Sequence, residues 1–105
     1  MDLPALRGKV TQEIDSYQPD ELGLCTVRAA LVDPYWIDVE LRDTIGQIEA
    51  DVPLIRSCVV VLDDGSDLFV VLDPVEGDFM LAERSGVRHI SIGVRGCAVG
   101  CFLAR

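Results

Sequence analysis

"SCVVVLDDGSDLFVVLDPVEGDFMLAERSGVRHISIGV", residues 57–94, decides the fold. Short runs rich in β-branched and aromatic residues, SCVVVL (57–62), LFVVL (68–72), FMLAE (79–83) and RHISIGV (88–94), alternate with DDGSD, DPVEGD and Ser85-Gly86. Such runs between Gly/Asp/Pro turns are hairpin signals, because branched side chains suit a pleated surface and the turn residues supply the dihedrals. The stretch reads as an antiparallel meander. CVVVL and LFVVL are apolar at nearly every position, so these strands are expected to be central and covered on both faces.

Upstream, "YWIDVELR" (35–42) alternates cleanly, pointing Tyr35, Ile37, Val39 and Leu41 one way and Trp36, Asp38, Glu40 and Arg42 the other. The first set is expected in the core, with Asp38 and Glu40 facing solvent or a partner. LCTVRAALV (24–32) and QIEADV (47–52) read as further strands, with a bend at Asp33-Pro34. A helix from Thr44 competes for the second segment, but Gly46 weakens it. SYQPDELG (16–23) reads as a loop punctuated by Pro19 and Gly23. Leu3, Leu6, Val10 and Ile14 recur at helical spacing, giving an amphipathic helix over about residues 3–16 with Pro4 in its first turn.

At 105 residues, half of them apolar, the chain makes one domain (1–105) with enough core to fold without a metal or a disulfide. The expected architecture is α+β. One N-terminal amphipathic helix packs on a bent, mostly antiparallel sheet of six or seven strands, running from about residue 24 to the C-terminus and half-closed into a barrel.

The net charge of −9 comes from 18 acidic and nine basic residues, and the basic ones are all arginine except Lys9. That field repels nucleic acid and anionic lipid, so neither partner is expected; a basic protein is easier to attract. No apolar stretch approaches a membrane span. The opening MDLPALRGKV lacks a basic lead and an apolar run, which sets the expectation of a cytoplasmic protein with reduced thiols.

Of the chemistry-bearing residues, Cys97 and Cys101 come first. In a strand, residues four apart lie roughly 13 Å from each other, too far for a disulfide or a shared metal ion. Gly96, Val99 and Gly100 argue against helix, so a bent strand with one inserted residue at Gly96 is expected, its cysteines small packing residues. Cys25 and Cys58 stand alone, and no metal, cofactor or catalytic residue is assigned. His89, opposite Ile90 and Ile92 on its strand, reads as a surface histidine beside Ser91, with no nucleophile elbow around that serine. The carboxylates of DDGSD and DPVEGD flank one strand and emerge at opposite ends, so they do not pool into one site; turn chemistry explains both.

Trp36, Asp38 and Glu40 share one strand face and make the candidate partner-binding surface. Arg84, Arg88 and Arg95, with Arg28, are the candidates for holding an anionic ligand. The Asp/Gly-turn rhythm of residues 63–83 resembles that of bacterial immunity-type domains, a pattern any antiparallel meander produces, and it identifies no family. The functional expectation is a small acidic, non-enzymatic protein-binding module, with an immunity- or antitoxin-like inhibitor and a homodimeric adaptor as specific forms. The alternative is a small-molecule (anion) binder or an unrecognised enzyme with a cavity in a half-closed sheet.

Overall fold

The computed structural model describes residues 1–17 and 24–105, and of Leu24 and Cys25 the backbone alone. The loop expected around Pro19 and Gly23 and the side chain of Cys25 lie outside the described residues. The elements are α1 (Leu3–Asp15), α2 (Leu24–Ala29), β1 (Leu31–Leu41), α3 (Ile45–Ile48), β2 (Leu54–Leu62), β3 (Leu68–Leu72), β4 (Phe79–Ser85), β5 (Arg88–Gly96) and α4 (Ala98–Leu103). The described strands close into a barrel in the order β1-β2-β3-β4-β5. Neighbours are antiparallel except at the closure, where β5 meets β1 in parallel at Glu40↔Ile90.

The meander forms as its turns dictate. Gly65 and Gly77 adopt positive φ in the two acidic turns, and Gly86 (φ +64°) leads the two-residue Gly86-Val87 connection, the arrangement of a type II′ hairpin. β3 and β4 pair in unbroken register from Leu68↔Glu83 to Leu72↔Phe79.

Continuous apolarity in the central strands serves two cores. Val39, Leu41, Cys58, Val60, Phe69, Val71, Met80 and Ala82 fill the barrel interior. Val59, Val61, Val70, Leu72, Phe79 and Leu81 point outward, where Leu6, Val10 and Ile14 of α1 cover them together with Val27, Val99 and Phe102. Burying a side chain such as Ile14 stabilises by about 1.5–3 kcal/mol. The Asp2 carboxylate caps α1 by accepting from the Ala5 amide at 3.1 Å, and Pro4 sits where no amide partner is needed.

Several expectations are corrected. Among the described residues there are five strands, not six or seven, and the barrel is closed rather than half-closed. LCTVRA is α2, with Val27 buried on its inner side and Ala30, just past its end, buried three residues on. QIEADV is no strand: Thr44 and Gln47 form a capping box that starts the single turn α3, and Val52 is exposed. The expected bend at Asp33-Pro34 is a register shift between Leu31 and Tyr35 within one strand, β1. The C-terminal segment is a helix, because Gly96 (φ +148°) turns the chain and Cys97 caps α4. The strand irregularity falls between the Met80↔Arg95 and Ala82↔Ser91 pairs, around Gly93, not at Gly96.

Candidate functional site

Alternation along β1 sets its two faces. Val39 and Leu41 reach the interior and Ile37 is half-buried, as the period implied, but Tyr35 is 44% exposed. On the outer face Trp36 is 48% exposed and Asp38 is exposed, its carboxylate accepting from the Ser57 hydroxyl at 3.1 Å. Glu40 departs from expectation: it is only 7% exposed. Arg88 ion-pairs with it directly and Arg42 lies 3.9 Å away, so it is a held structural charge rather than a free contact.

The closure between β1 and β5 is short. β5 starts at Arg88, and its one registered pair with β1 among the described residues is Glu40↔Ile90. Parallel register therefore sets Asp38 level with Arg88, and β1 before Asp38 runs past the end of β5. The wedge this leaves holds an open groove of about 490 Å³ lined by Ile37, Asp38, Glu40, Ile55, Arg88 and His89, with Val87 of the hairpin tip. Val87, 98% exposed, and Ile55 escaped notice in the sequence. An apolar residue at the tip of a two-residue turn was the available signal.

His89 is not the surface residue expected. Pairing with Arg84 turns it to the inner face, where it is half-buried and packs edge-on to Phe69 at 5.7 Å. Ser91 is buried and accepts from the Arg42 amide at 2.7 Å, so the two make no nucleophile pair. The face bearing Ile90 and Ile92 is the outward one, and Ile92 is exposed. Alternation holds through residues 88–91, and the polar His89/Ser91 side rather than the isoleucine side is the one turned inward.

The candidate anion-binding arginines do not converge. Arg84 ion-pairs with Asp63 and stacks 4.4 Å over the Phe69 ring. Arg88 holds Glu40, and Arg28 pairs with Asp15 on α1. Arg95 joins a cluster that plugs one barrel mouth, donating to Asp43 (2.9 Å), Asp78 (2.7 Å) and Asp73 (3.1 Å). Arg56 donates to the same Asp73 oxygen at 2.8 Å, while the other oxygen accepts from the Val75 and Glu76 amides. Burial opposes charge on Asp73, yet Arg56, the two amides and Arg95 outweigh it and hold the carboxyl below its ordinary range. The two amides are local to the turn after Asp73, but Arg56, Arg95 and Asp43 lie far apart in sequence, so no local pattern revealed the cluster.

In the acidic turn before β3, Asp63 pairs with Arg84 and Asp64 with Arg105. Their carboxylates also accept from the Gly65 and Ser66 amides. Among the described residues no three His, Cys, Asp or Glu side chains gather as a metal-ligand set.

Cys97 caps the N-terminus of α4 and Cys101 lies within it, four residues on. The exposed Cys97 sulfur accepts from the Gly100 amide at 3.3 Å and lies 3.5 Å from the Tyr17 hydroxyl. Cys101 is buried with its sulfur 3.7 Å from the Phe79 carbonyl, and burial pushes its thiol up to about 11. Burial does the same to Cys58, up to about 12.

No family model, curated protein or solved structure matches this chain. No helix among the described residues is long and apolar enough to cross a membrane.

Proposed function

We propose that the protein is a non-enzymatic protein-binding module whose contact surface is the outer face of β1 and the wedge beside it. The observation that carries this reading is the grouping of exposed Trp36 and Tyr35 with a groove lined by Ile37, Ile55 and Val87. Aromatic and aliphatic anchors next to a ring of polar groups are the composition of an interface centre. Of the residues expected to bind, Trp36 and Asp38 stay in this role, and Glu40 supports them from beneath through its pair with Arg88.

An inhibitor of a basic enzyme, in the manner of an immunity protein or antitoxin, is the specific form that a charge of −9 favours over a homodimer of like-charged chains. The free thiols of Cys58, Cys97 and Cys101 suit a reducing compartment such as the cytoplasm. An enclosed anion site draws less support, since Arg84, Arg88 and Arg95 are each engaged by a carboxylate.

The test is photocrosslinking in host cells from position 36, with position 75, on the exposed turn between β3 and β4, as control. A discrete adduct from position 36 alone, lost with excess unlabelled wild-type protein but retained with unlabelled Trp36→Ala protein, is the expected result. Replacing such an anchor costs about 2 kcal/mol or more of binding. Equal labelling from both positions, or none from 36, refutes the reading.

A further inference from the structure

Resting on the protein-binding reading above, the geometry points to one occupant for the wedge: an extended cationic segment of a partner protein, added as a short strand beside Tyr35, Trp36 and Ile37 of β1. On one side these residues pair with Val60, Val59 and Cys58 of β2. On the other, no strand among the described residues lies alongside, because β5 begins level with Asp38. A strand edge of this kind presents backbone donors and acceptors that another strand can satisfy.

Natural edges are blunted with lysine, proline or bulges. Here Pro34 and the register shift blunt the edge only up to Tyr35. Beyond that point it carries Trp36 and Ile37 and no cation, and the chain's only lysine is Lys9 on α1.

The side chains specify the segment further. An added strand directs alternate residues to opposite faces. One set lies over Ile37 and Val87, an apolar socket. The other lies over Trp36 and Asp38. Asp38 has no ion pair among the described residues, whereas Glu40 is already neutralised by Arg88 and Arg42. A lysine or arginine on that side gains both the free carboxylate and the indole face. The fitting sequence therefore alternates apolar and basic residues. A second copy of this chain would bring another −9 and another Asp38 to the same place, and an anionic segment is repelled likewise.

The experiment titrates the intact, isotope-labelled protein with a short synthetic peptide alternating valine and lysine. Its controls are a valine–glutamate peptide and a valine–lysine peptide N-methylated on the backbone nitrogens of one edge. Expected are slowed amide exchange at those of residues 35–37 whose N–H points away from β2, because alternate residues of a strand face alternate neighbours, and binding that weakens as salt rises. Methylation should weaken binding roughly tenfold through lost backbone hydrogen bonds. Asp38→Asn should weaken it by up to roughly fivefold. Binding mapped elsewhere, unchanged exchange at residues 35–37, or equal binding of either control peptide overturns the proposal. If the peptides fail while position 36 still crosslinks a host protein, the binding-module reading stands and the strand-addition inference falls.

Discussion

Asp73 is 0% exposed, yet it carries a charge that Arg56, Arg95 and two backbone amides hold at the barrel mouth. Removing one member of such a group leaves the others buried and unmatched, so Asp73→Ala should destabilise by about 3–5 kcal/mol in urea denaturation. The folded-state pKa lies below that of the unfolded chain, near 3.9. The stabilisation is therefore complete above about pH 4 and fades as pH falls through the folded value. Wild-type stability should decline with acid below about pH 4, and Asp73→Asn should show a shallower decline. Identical acid profiles for the two would remove Asp73 from the account. Thiol reactivity separates at the same scale. With Cys25 replaced by alanine, a disulfide reagent should label Cys97 rapidly and reach Cys58 and Cys101 only on unfolding. Those two are buried and their thiols pushed up, whereas Cys97 is exposed. Three rates of similar size would contradict that separation.

Among the elements, α4 is held at its N-terminus. Glu13, in the last turn of α1, accepts from the Ala98 and Val99 amides at 3.1 and 2.6 Å, so one helix caps another. Glu13→Ala should cost about 0.5–2 kcal/mol, the worth of a cap. It should also speed amide exchange in residues 98–103; unchanged exchange there would show the contact to be idle. The same helix shows where sequence reading failed. Gly96 and Gly100 argue against it by propensity, yet Gly96 turns the chain into it and Gly100 leaves room for the capping Cys97 sulfur. Gly96 adopts a φ of +148° that other residues avoid, and a Cβ on Gly100 would stand 2.9 Å from the Cys97 sulfur. Propensity is a weak prior that packing overrides. α2 is hidden for a similar reason: LCTVRAALV reads as a strand although Val27 and Ala30 keep a helical interval. The meander, α1 and the two-sided burial of β2 and β3 were legible, because there period, turn chemistry and composition agree. On β1 the parity of Val39, Leu41 and Asp38 was readable. The burial of Glu40 was not, since its partner Arg88 is distant in sequence.

For the molecule as a whole, the fold commits much of its arginine to acidic partners. Arg56 and Arg95 turn inward to Asp43, Asp73 and Asp78, and Arg84 is committed to Asp63. Asp38, Glu49 and Asp51, by contrast, are exposed around the β1–β2 end of the barrel. A basic partner approaching that end is steered by a field that salt screens over a Debye length of about 8 Å at physiological ionic strength. Its association rate should fall roughly tenfold or more from low to high salt, while its dissociation rate changes little. Fluorescence of Trp36, the single tryptophan, can follow both in stopped flow. Self-association should respond in the opposite sense. Two chains of −9 repel, and screening lifts that repulsion, so sedimentation should find monomer at low salt and any dimer only at high salt. A dimer that tightens at low salt, with a partner association rate indifferent to salt, would mean that exposed apolar edge rather than acidic charge governs what this surface meets.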